Sequence, residues 1–471
     1  MIVNDILERM RGEEQKVIKS SIWYIICTFI TNAISFVTAP IFARILSKQI
    51  YGEYSNFASW YAIISCFTTL NLHATIMRAK YDFDKDFPTY VSSILVLGTV
   101  NTAICYLLML IFHRTLVNTL NLSLVYINII FICQMFQPAS VVFQTIQRLN
   151  YRYKLSVFIT IITAVSTSLG GILLVYGMED KLLGRVLGAQ LPVLIVNIIL
   201  YVNMMKKGRG INLSHWKYAY FICLPYIPHL LAGNLLNALD RIMITDIRGA
   251  EENAIYSVAG NGAMILSIFS LSVNNAVQPW IFEKIHANEP QQVKKTVSVV
   301  LWLYAILSIY LILFAREVVL VLGGEKYLMS AFVLPPLILG ALFQFMYTFY
   351  VSVEQFEKKT VGMAVATIIA AGANFVLNAI FIPKFGYVAS GLTTAASYLL
   401  LLLFHFFLVK RMGFTHFFQT RLLFILPAII IVCSVVVSML NDLERYLVIT
   451  TMTLLLGITF LGLYKKKNRG E

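Results

Sequence analysis

The sequence predicts an all-α membrane protein with about fourteen spanning helices. Of its 471 residues, 59% are hydrophobic and only 13% are charged, whereas soluble domains carry about 25% charged residues. The mean hydropathy is +0.76, and apolar runs recur along the whole chain. A run of roughly 20 apolar residues crosses the hydrocarbon core of a bilayer. No hydrophilic stretch is long enough to form a soluble domain.

The apolar runs follow one another with short polar connections between them, and each is predicted to form one helix. The predicted spans are residues 19–43, 53–77, 88–112, 122–147, 154–176, 184–205, 218–239, 254–281, 296–315, 328–353, 361–383, 386–409, 421–440 and 446–464. Residues 1–18 are polar and lack a cleavable signal pattern, so they are predicted to form an interfacial helix on the cytoplasmic side.

The distribution of basic residues predicts the orientation of the helices. The formal net charge is +14, but the Lys and Arg residues lie between apolar runs and form no single stripe. Nucleic acid is therefore not an expected partner. With fourteen spans, 26 of the 37 basic residues lie on the side that holds both termini, against 11 on the other side. The positive-inside rule then predicts cytoplasmic termini.

An internal repeat divides the predicted helices into two groups of six. At an offset of 202 residues, and of 207 further along the chain, polar residues recur in the same order; chance similarity between apolar helices is the alternative. The recurring pairs are Asn32 with Asn234, Tyr54-Ser55 with Tyr256-Ser257, Phe136-Gln137 with Phe343-Gln344, and Gly184 with Gly391. Because six is even, both groups enter the membrane in the same sense.

The repeat predicts a domain organisation of two parallel six-helix lobes plus two C-terminal helices. The first 18 residues form a cytoplasmic segment. Residues 19–205 form the N-lobe, 206–217 a cytoplasmic linker, and 218–411 the C-lobe. Residues 412–471 supply the last two helices and a basic cytoplasmic tail. Two such bundles with a cleft between them are a typical transporter architecture.

Polar side chains within the spans predict what lines the cleft. Polar groups are costly in lipid, so they face the protein interior or a wet cavity, although many simply join helices by hydrogen bonds. The richest polar faces belong to the repeat-related helices 1 and 7, 2 and 8, and 4 and 10. The predicted cavity residues are Asn32, Asn234, Asn237, Gln137, Gln344 and Asn274. Such amides can bind a neutral sugar.

Charged residues near the helix ends are candidates for binding an anion or a coupling ion. Arg pairs with phosphate oxygens in a bidentate manner, although side chains at helix ends can also extend to lipid headgroups. The candidate anion contacts are Arg44, Arg78, Lys80, Arg148 and Arg241. Asp240 and Glu354, near the ends of predicted helices, are candidate coupling acids, and Asp240 could also pair with Arg44.

Several short motifs resemble the multidrug/oligosaccharidyl-lipid/polysaccharide exporter superfamily, and among its members the Wzx-type polysaccharide flippases. The resemblance covers roughly residues 15–410. Its residues are Arg44-Ile45-Leu46, Tyr51-Gly52-Glu53-Tyr54-Ser55, Arg78, Leu239-Asp240-Arg241-Ile242 and Tyr256-Ser257. It implies the two-lobed fold known from MATE transporters. The two additional helices resemble those of the lipid II flippases, in which they help to hold a lipid tail.

The resemblance also implies a function and its partners. Wzx-type proteins carry an undecaprenyl-diphosphate-linked oligosaccharide from the cytoplasmic to the outer leaflet of the bacterial inner membrane, for surface polysaccharide synthesis. They work by alternating access, with a lipid-linked oligosaccharide as substrate and membrane lipids around it. A polysaccharide polymerase and chain-length machinery are further possible partners. No cofactor and no metal are expected.

Other classes remain as alternatives. A cation-coupled small-molecule antiporter shares the topology, but it is expected to carry a carboxylate in the middle of a helix. A lipid II flippase is expected to place arginines deeper in the first helix than Arg44. A major-facilitator transporter is disfavoured by the sequence after helix 2. An integral polymerase or ligase needs a large outer loop with catalytic charges, and no nucleotide-binding Gly-Lys pair occurs in the chain.

Overall fold

A computed structural model describes residues 12–208 and 210–468, and within them the chain is helical and contains no strand. Within these ranges, fourteen helices of 18 residues or more form the bundle. They are α1 (Gly12–Ile45), α2 (Lys48–Thr68), α3 (Phe87–Ile111), α4 (Leu124–Leu149), α5 (Tyr153–Gly177), α6 (Lys181–Gly208), α7 (Ile227–Arg248), α8 (Ala250–His286), α9 (Pro290–Leu313), α10 (Leu334–Phe356), α11 (Thr360–Phe385), α12 (Tyr387–Arg411), α13 (Leu422–Met439) and α14 (Asp442–Asn468). The predicted all-α class and the order of the helices are confirmed.

Short helices at the turns define the two ends of the bundle. We call the end at which α1 begins the near end, and the end at which α1 finishes and α2 begins the far end. Leu213–Cys223 lies at the near end, between α6 and α7. His113–Leu120 and Ala315–Gly323 lie at the far end. Residues 1–11 of the predicted N-terminal segment lie outside the described residues, whereas residues 12–18 belong to α1.

Eleven of the fourteen helices are long and apolar enough to cross a membrane, judged over the described residues. The other three are α2, α7 and α14. Helices α2 and α7 pack against each other where the lobes meet, so part of their surface is covered by protein rather than lipid. The buried residues of α2 accordingly include Ser55, Asn56 and Ser59. Hydropathy understates such helices because their polar side chains face the protein.

The seventh helix begins later than the sequence predicted. The predicted span was residues 218–239, but the chain forms Leu213–Cys223, a turn at Leu224–Tyr226 and then α7. Pro225 and Pro228 explain the break, because proline lacks the backbone N–H and fits only the first turn of a helix. The later start carries α7 on to Arg248. Asp240 therefore lies inside the helix, and its predicted position near a helix end is wrong.

Each lobe has its own apolar core, and a third core joins the lobes at the far end. One cluster of the N-lobe is built on Tyr90, Ile94 and Val142. The large cluster of the C-lobe also takes in Leu426 and Ile430 of α13. The joining cluster sets Phe42, Leu46 and Tyr51 of the N-lobe against C-lobe residues such as Val258 and Tyr327. This cluster ties the two lobes together at the far end, and a smaller cluster joins Ile63 of α2 to Ala238 and Ile242 of α7.

Glycines bring α5 and α6 into backbone contact within the N-lobe. A Cβ atom at Gly188 would lie 2.3 Å from the Cα atom of Gly171, and one at Gly184 would lie 2.5 Å from the Leu174 carbonyl oxygen. Only glycine permits so close an approach, as in other membrane helix pairs joined by small residues. The Gly184-x-x-x-Gly188 spacing places both glycines on one face of α6, with Arg185 beside them.

A second close contact joins α2 of the N-lobe to α8 of the C-lobe at the far end. A Cβ atom at Gly52 would lie 1.7 Å from the carbonyl oxygen of Ala250. The Asn253 side-chain amide donates to the Gly52 carbonyl at 3.0 Å, and the Ser55 and Ser257 hydroxyls lie 2.7 Å apart. We call this contact between α2 and α8 the far junction. It closes the cleft at the far end.

The far junction also bears on the internal repeat. Ser55 and Ser257 are equivalent at the repeat offset, and they contact each other directly. Equivalent residues meet in this way only near the axis that relates two copies of a structure. The contact therefore places the pseudo-two-fold axis of the two lobes close to these serines.

Candidate functional site

A polar cavity lies between the lobes on the near side of the far junction. We call it the near cavity; its volume is about 190 Å³. Helices α2 and α4 line one side, and α7 of the other lobe lines the opposite side. The lining residues are Ser65, Cys66, Thr69, Asn71, Leu72, His73, Gln137, Pro138, Val141, Leu230 and Asn234. Hydroxyl, amide and imidazole groups thus converge from both lobes.

Two predicted cavity residues meet in the near cavity. Gln137 accepts a hydrogen bond from the Tyr61 hydroxyl at 3.2 Å, which orients its amide. Asn234 lies opposite on α7, and its side-chain amide donates to the Cys66 sulfur at 3.0 Å. Each side chain is only half-buried. Their amides can therefore donate and accept further hydrogen bonds within the cavity.

Positive charge lies close to the near cavity at its near end. The Arg148 guanidinium lies 5.3 Å from the centre of the Tyr24 ring. His73 stands in the connection after α2, and burial together with the charge of Arg148 holds its pKa below the ordinary value. His73 is therefore neutral at pH 7, and Arg148 supplies the charge. The arrangement suits an anion that approaches from the near end.

A second polar cavity lies towards the far end. We call it the far cavity; its volume is about 340 Å³. Four N-lobe helices line it, and one C-lobe residue, Asn261 of α8, completes it. The lining residues are Ser35, Thr38, Ala39, Phe42, Tyr51, Tyr54, Thr167, Ser168, Arg185, Ala189 and Asn261. The lining carries one formal charge, the guanidinium of Arg185.

Arg185 is fixed between two aromatic rings. Its guanidinium carbon lies 3.7 Å from the centre of the Phe42 ring and 4.1 Å from that of Tyr54. Its Nε atom is buried without a hydrogen-bond partner. Among the described residues, no carboxylate lies within 4.0 Å of it. Cation–π contact therefore holds the group while most of its N–H donors stay unused.

Arg241 of the C-lobe lies close to the same region. One of its guanidinium nitrogens would be 3.4 Å from a Cβ atom at Gly260, the residue before Asn261. The Asn261 amide donates to the Tyr51 hydroxyl at 2.8 Å and so joins α8 to α2. The Nε atom of Arg241 is also buried and unpaired.

Asp240 is buried in a network of neutral donors from three other helices of the C-lobe. It is 3% exposed. The Tyr256 hydroxyl donates to its Oδ2 atom at 2.6 Å and the Asn378 amide to its Oδ1 atom at 2.6 Å, and the Thr394 hydroxyl also donates to Oδ2. In the described part of the chain, no basic side chain lies within 4.0 Å of it. A proton or a small cation can therefore balance its charge.

The predicted pairing of Asp240 with Arg44 is not formed. Arg44 lies exposed at the far end, where its guanidinium donates to the carbonyl oxygens of Leu320 and Val321 at 3.4 and 2.9 Å. It thus joins the end of α1 to the C-lobe. The pair does not form because Asp240 lies inside α7 and is enclosed by its own lobe. A side chain at the surface of the bundle cannot reach it.

Glu354 forms a buried pair with His405 near the near end of the C-lobe. Its Oε1 atom lies 2.7 Å from Nδ1 of His405, and the carboxylate is fully buried. The other oxygen, Oε2, has no hydrogen-bond partner. The Tyr347 ring stacks on the imidazole with centres 5.3 Å apart. The pair joins α10 to α12 inside the C-lobe.

The remaining predicted amides do not line the near cavity. Asn237 is exposed on α7 and accepts a hydrogen bond from the Tyr398 hydroxyl at 3.2 Å. Asn274 accepts one from Thr348 at 3.0 Å and so links α8 to α10. Gln344 lies one turn before Thr348 on α10, and Asn32 is half-buried on α1. Three of these amides thus lie on three different helices of the C-lobe, and the fourth lies on α1.

The predicted cations are also dispersed. Arg78 is 74% exposed and pairs with Asp82 at 3.2 Å, while the Lys80 ammonium lies 5.1 Å from the centre of the Phe87 ring. Both belong to the connection between α2 and α3, outside the two cavities. Only Arg148 and Arg241 lie close to a cavity. Whether any of these cations binds substrate stays a prediction.

Several residues of the cavities were not singled out in the sequence, among them the ionisable residues Arg185 and His73. Arg185 was counted among the far-side basic residues because it follows the start of an apolar run. Its neighbours Gly184 and Gly188 carried a signal, since small residues at this spacing indicate close helix packing and hence an inward-facing helix surface. An ionisable residue on such a surface is a candidate functional group.

The two lobes, the cavity between them and the repeat define a membrane transporter of the exporter class described above. The chain belongs to the family described as "Polysaccharide biosynthesis protein", whose model matches residues 17–285. The MatE model matches residues 225–380. These matches confirm the resemblance to the multidrug/oligosaccharidyl-lipid/polysaccharide exporter superfamily. The narrower Wzx-type assignment stays a prediction.

Similar sequences come from distant organisms. An uncharacterized membrane protein of Methanocaldococcus jannaschii is 22% identical, and the match covers 96% of this chain and 94% of that protein. The Lsg locus putative protein 1 of Haemophilus influenzae is 22% identical over 57% of this chain and 67% of its own length.

Solved structures share the fold. The lipid II flippase MurJ in an inward closed conformation superposes with a TM-score of 0.70 at 14% identity, over 91% of this chain and 99% of that one. An inward-facing multidrug resistance MATE transporter gives a TM-score of 0.61 at 12% identity, over 82% and 95% of the two chains. These likenesses establish a multi-pass membrane fold of two lobes.

Proposed function

We propose that the protein flips an undecaprenyl-diphosphate-linked oligosaccharide repeat unit from the cytoplasmic to the outer leaflet, for surface polysaccharide synthesis. One observation carries the proposal: the near cavity is polar, is formed by both lobes, and has Arg148 at its near end. Amides and hydroxyls are suited to the hydroxyl groups of a sugar, and arginine is suited to phosphate oxygens. The family description, polysaccharide biosynthesis, supports the same substrate class.

The proposed cycle is alternating access. With the far junction closed, the sugar headgroup enters the near cavity from the cytoplasm while the lipid tail stays in the bilayer. The lobes then rock, so that the far junction opens and the near cavity closes. Movement of an anionic diphosphate outward is favoured by an inside-negative potential, by roughly 2.3 kcal/mol per charge and 100 mV.

The proposal includes a location and an orientation. The protein is placed in the bacterial cytoplasmic membrane with both termini and the near end on the cytoplasmic side. The excess of basic residues on that side supports this orientation. A polymerase with its chain-length machinery would consume the flipped product. Membrane lipids surround the exposed apolar faces of the lobes.

The buried acids are the proposed coupling groups. Asp240 has three neutral donors and no basic partner within the described residues, so a proton or small cation must balance its charge. Glu354 shares a site with His405 and is a second place for a proton. Binding of the coupling ion in the C-lobe would favour one arrangement of the lobes over the other.

A cation-coupled antiporter of small molecules is a second candidate. Two observations favour it: the MatE model covers α7 to α11, and Asp240 is a carboxylate inside a helix, the feature expected of that class. Its near cavity would then bind an organic cation. The two candidates differ in what crosses the membrane, a lipid or a water-soluble molecule.

Transport into vesicles tests the proposal. The full chain is reconstituted in liposomes that contain an undecaprenyl-diphosphate oligosaccharide, and the lipid that reaches the other leaflet is measured with time. Gln137→Leu combined with Asn234→Leu removes the amides that face each other across the near cavity. Since each lost hydrogen bond costs about 1 kcal/mol, the double variant loses about 2 kcal/mol, and we expect the initial rate to fall about thirty-fold. Gln291→Leu, an exposed position on α9, serves as control.

The outcomes are distinct. Flipping by the wild type and by the control, with a slow double variant, supports the proposed function. No lipid movement, together with gradient-driven release of an organic cation such as ethidium, would instead favour the antiporter. An unchanged rate in the double variant would remove the near cavity from the mechanism.

A further inference from the structure

The connection between the lobes begins in close contact with the N-lobe. It runs from the end of α6 through Leu213–Cys223, which we call the linker helix, to the turn Leu224–Tyr226. Gly208 is the last residue of α6. A Cβ atom there would lie 2.3 Å from both the Pro88 carbonyl oxygen and the Ser92 hydroxyl oxygen of α3. Only glycine permits so close an approach, so this position fixes the start of the connection against α3.

Hydrogen bonds to α3 continue beyond this point. The Ser92 hydroxyl donates to the Gly210 carbonyl oxygen at 2.7 Å. The Asn212 backbone N–H donates to the Ser93 hydroxyl at 2.6 Å, and the Trp216 indole N–H donates to the Ser93 carbonyl oxygen at 2.9 Å. Backbone and side-chain groups of the connection are thus paired with a helix of the N-lobe.

The linker helix also packs on the segment between α2 and α3. His215 is 2% exposed, and its imidazole Nε2 atom lies 3.2 Å from a carboxylate oxygen of Asp86. The Phe83 ring meets the imidazole edge to face, with ring centres 4.6 Å apart. Further along the linker helix, Ala219 and Cys223 are buried in the apolar cluster of the N-lobe. One side of the linker helix therefore belongs to the N-lobe core.

Arg78, a predicted anion contact, takes part in the same set of contacts. The Tyr218 hydroxyl of the linker helix donates to Oδ2 of Asp82 at 2.6 Å, and the Arg78 guanidinium donates to the same oxygen at 3.2 Å. The Tyr218 hydrogen bond, together with Arg78, holds the pKa of Asp82 below its ordinary value. Its carboxylate is therefore charged at pH 7. Within the described part of the chain, we call the contacts between residues 208–223 and residues 78–93 the clasp.

The helix that follows is held by the C-lobe instead. The Asp240 carboxylate of α7 accepts hydrogen bonds from side chains of α8, α11 and α12. Between the clasp and this anchor lies the turn Leu224–Tyr226, with Pro225 inside it and Pro228 in the first turn of α7. Proline disrupts the interior of a helix, so the linker helix and α7 do not form one continuous rod.

We propose that the clasp makes the linker helix a rigid part of the N-lobe, and that the lobes rock about the turn at residues 224–228. Hinges are short segments at the ends of elements that absorb the change in backbone angles. The predicted linker, residues 206–217, then moves as one body with α3 and is not a flexible tether. The inference rests on the rocking motion of the proposed function, but not on the identity of the cargo.

Distances between spin labels locate the hinge without any substrate. Cysteines replace exposed near-end lysines of the full chain in two pairs, Lys154 of α5 with Lys217 of the linker helix, and Lys217 with Lys410 of α12. The native cysteines are buried or half-buried, and the chain without introduced cysteines serves as the blank. Each pair is measured with and without Gly52→Ala, which forces the far junction apart.

The hinge predicts different results for the two pairs. The distance within the N-lobe pair, Lys154 with Lys217, should stay the same when Gly52→Ala is introduced. The distance from Lys217 to Lys410 should change by several ångström, because the turn lies between them. A change in the first distance, or no change in the second, would overturn the inference.

Loosening the clasp tests its role. In Gly208→Ala the new Cβ atom collides with α3, so the distribution of Lys154–Lys217 distances should broaden. Gly177→Ala is the matched control, since Gly177 ends α5 and has no atom within 4 Å of a new Cβ. Tyr218→Phe is a milder change that should broaden the distribution less. An unchanged distribution in both Gly208→Ala and Tyr218→Phe would show that the clasp does not hold the linker helix.

A disulfide separates this inference from the proposed function. A Cβ atom at Gly210 would lie 3.1 Å from Cγ2 of Thr89, so the double variant Thr89→Cys and Gly210→Cys can bridge the linker to α3. Oxidised and reduced forms should flip lipid-linked oligosaccharide equally fast; a loss of flipping on oxidation would overturn the inference. If the wild type flips no such lipid but both spin-label distances behave as stated, the hinge stands and the proposed function fails. If it flips the lipid while the first distance changes, the function stands and the hinge fails.

Discussion

Single residues in the C-lobe show how burial and hydrogen bonding give a carboxylate its role. Asp240 accepts hydrogen bonds from three neutral side chains of its own lobe, those of Tyr256, Asn378 and Thr394. Arg185 presents the opposite case, a cation held by aromatic faces alone. Neither has an ion-pair partner within the described residues, so each is free to respond to something that arrives from outside the protein.

The variant Asp240→Asn tests the coupling role. The amide accepts at only one atom, so one of the donors from Tyr256, Asn378 or Thr394 loses its acceptor. We expect the free energy of unfolding to fall by about 1–3 kcal/mol, and transport to lose its response to an imposed proton or sodium gradient. Asp84→Asn, an exposed acid before α3, should leave both unchanged. A gradient response retained by Asp240→Asn would exclude Asp240 as the coupling group.

At the scale of helices, two close crossings organise the molecule. Glycines bring α5 and α6 together within the N-lobe and orient Arg185. Gly52 brings α2 of one lobe against α8 of the other at the far junction. The first crossing is internal to a rigid lobe, whereas the second must separate if the lobes rock. The motif at residues 51–55 therefore has a structural explanation. Three of its residues, Tyr51, Gly52 and Ser55, each contact a residue of α8.

The variant Gly52→Ala should open the far end. The added Cβ atom would lie 1.7 Å from the Ala250 carbonyl oxygen, so the helices must move apart. We expect a cysteine at Ala189, in the far cavity, to react several-fold faster with a polar maleimide. In Gly372→Ala, at a helix position with no atom within 4 Å of the new Cβ, the rate should stay the same and the helix should gain up to about 1 kcal/mol. Equal labelling rates in Gly52→Ala and the parent would contradict the role of Gly52.

At the scale of the whole molecule, the far junction joins the two lobes at one end. Ser55 and Ser257 come from equivalent positions in the two repeats, and only the far end brings such residues together. Towards the near end the lobes enclose the near cavity, where the Asn234 amide donates to the Cys66 sulfur from one lobe to the other. In the proposed cycle, this difference between the two ends allows access from one side at a time.

A disulfide at this contact should lock the transporter. The hydroxyl oxygens of Ser55 and Ser257 lie 2.7 Å apart, so the double variant Ser55→Cys and Ser257→Cys brings two thiols within reach of a bond. Oxidation should stop flipping, and reduction should restore it. Each single variant should stay active under oxidation. Full activity of the cross-linked protein would mean that the far junction need not open.

The sequence predicted the features that depend on local composition. Apolar run length predicted the number and order of the helices, and sparse repeat matches predicted that Ser55 and Ser257 are equivalent. The start of α7 was missed because Pro225 and Pro228 lie within an apolar run and the chain is helical on both sides of them. Arg185 was missed because a cation five residues into a helix can point either to the lipid headgroups or into the protein. Its inward direction follows only from its packing against Phe42 and Tyr54, which the sequence does not show.

The contact between Ser55 and Ser257 has a consequence for the origin of the chain. A hydroxyl both donates and accepts, so a serine can pair with an identical serine across a two-fold axis. That is the self-complementary contact of a symmetric dimer. A six-helix half with a serine at this position could have associated with its own copy before the two halves were joined. In this chain the two serines form that self-complementary contact within one polypeptide.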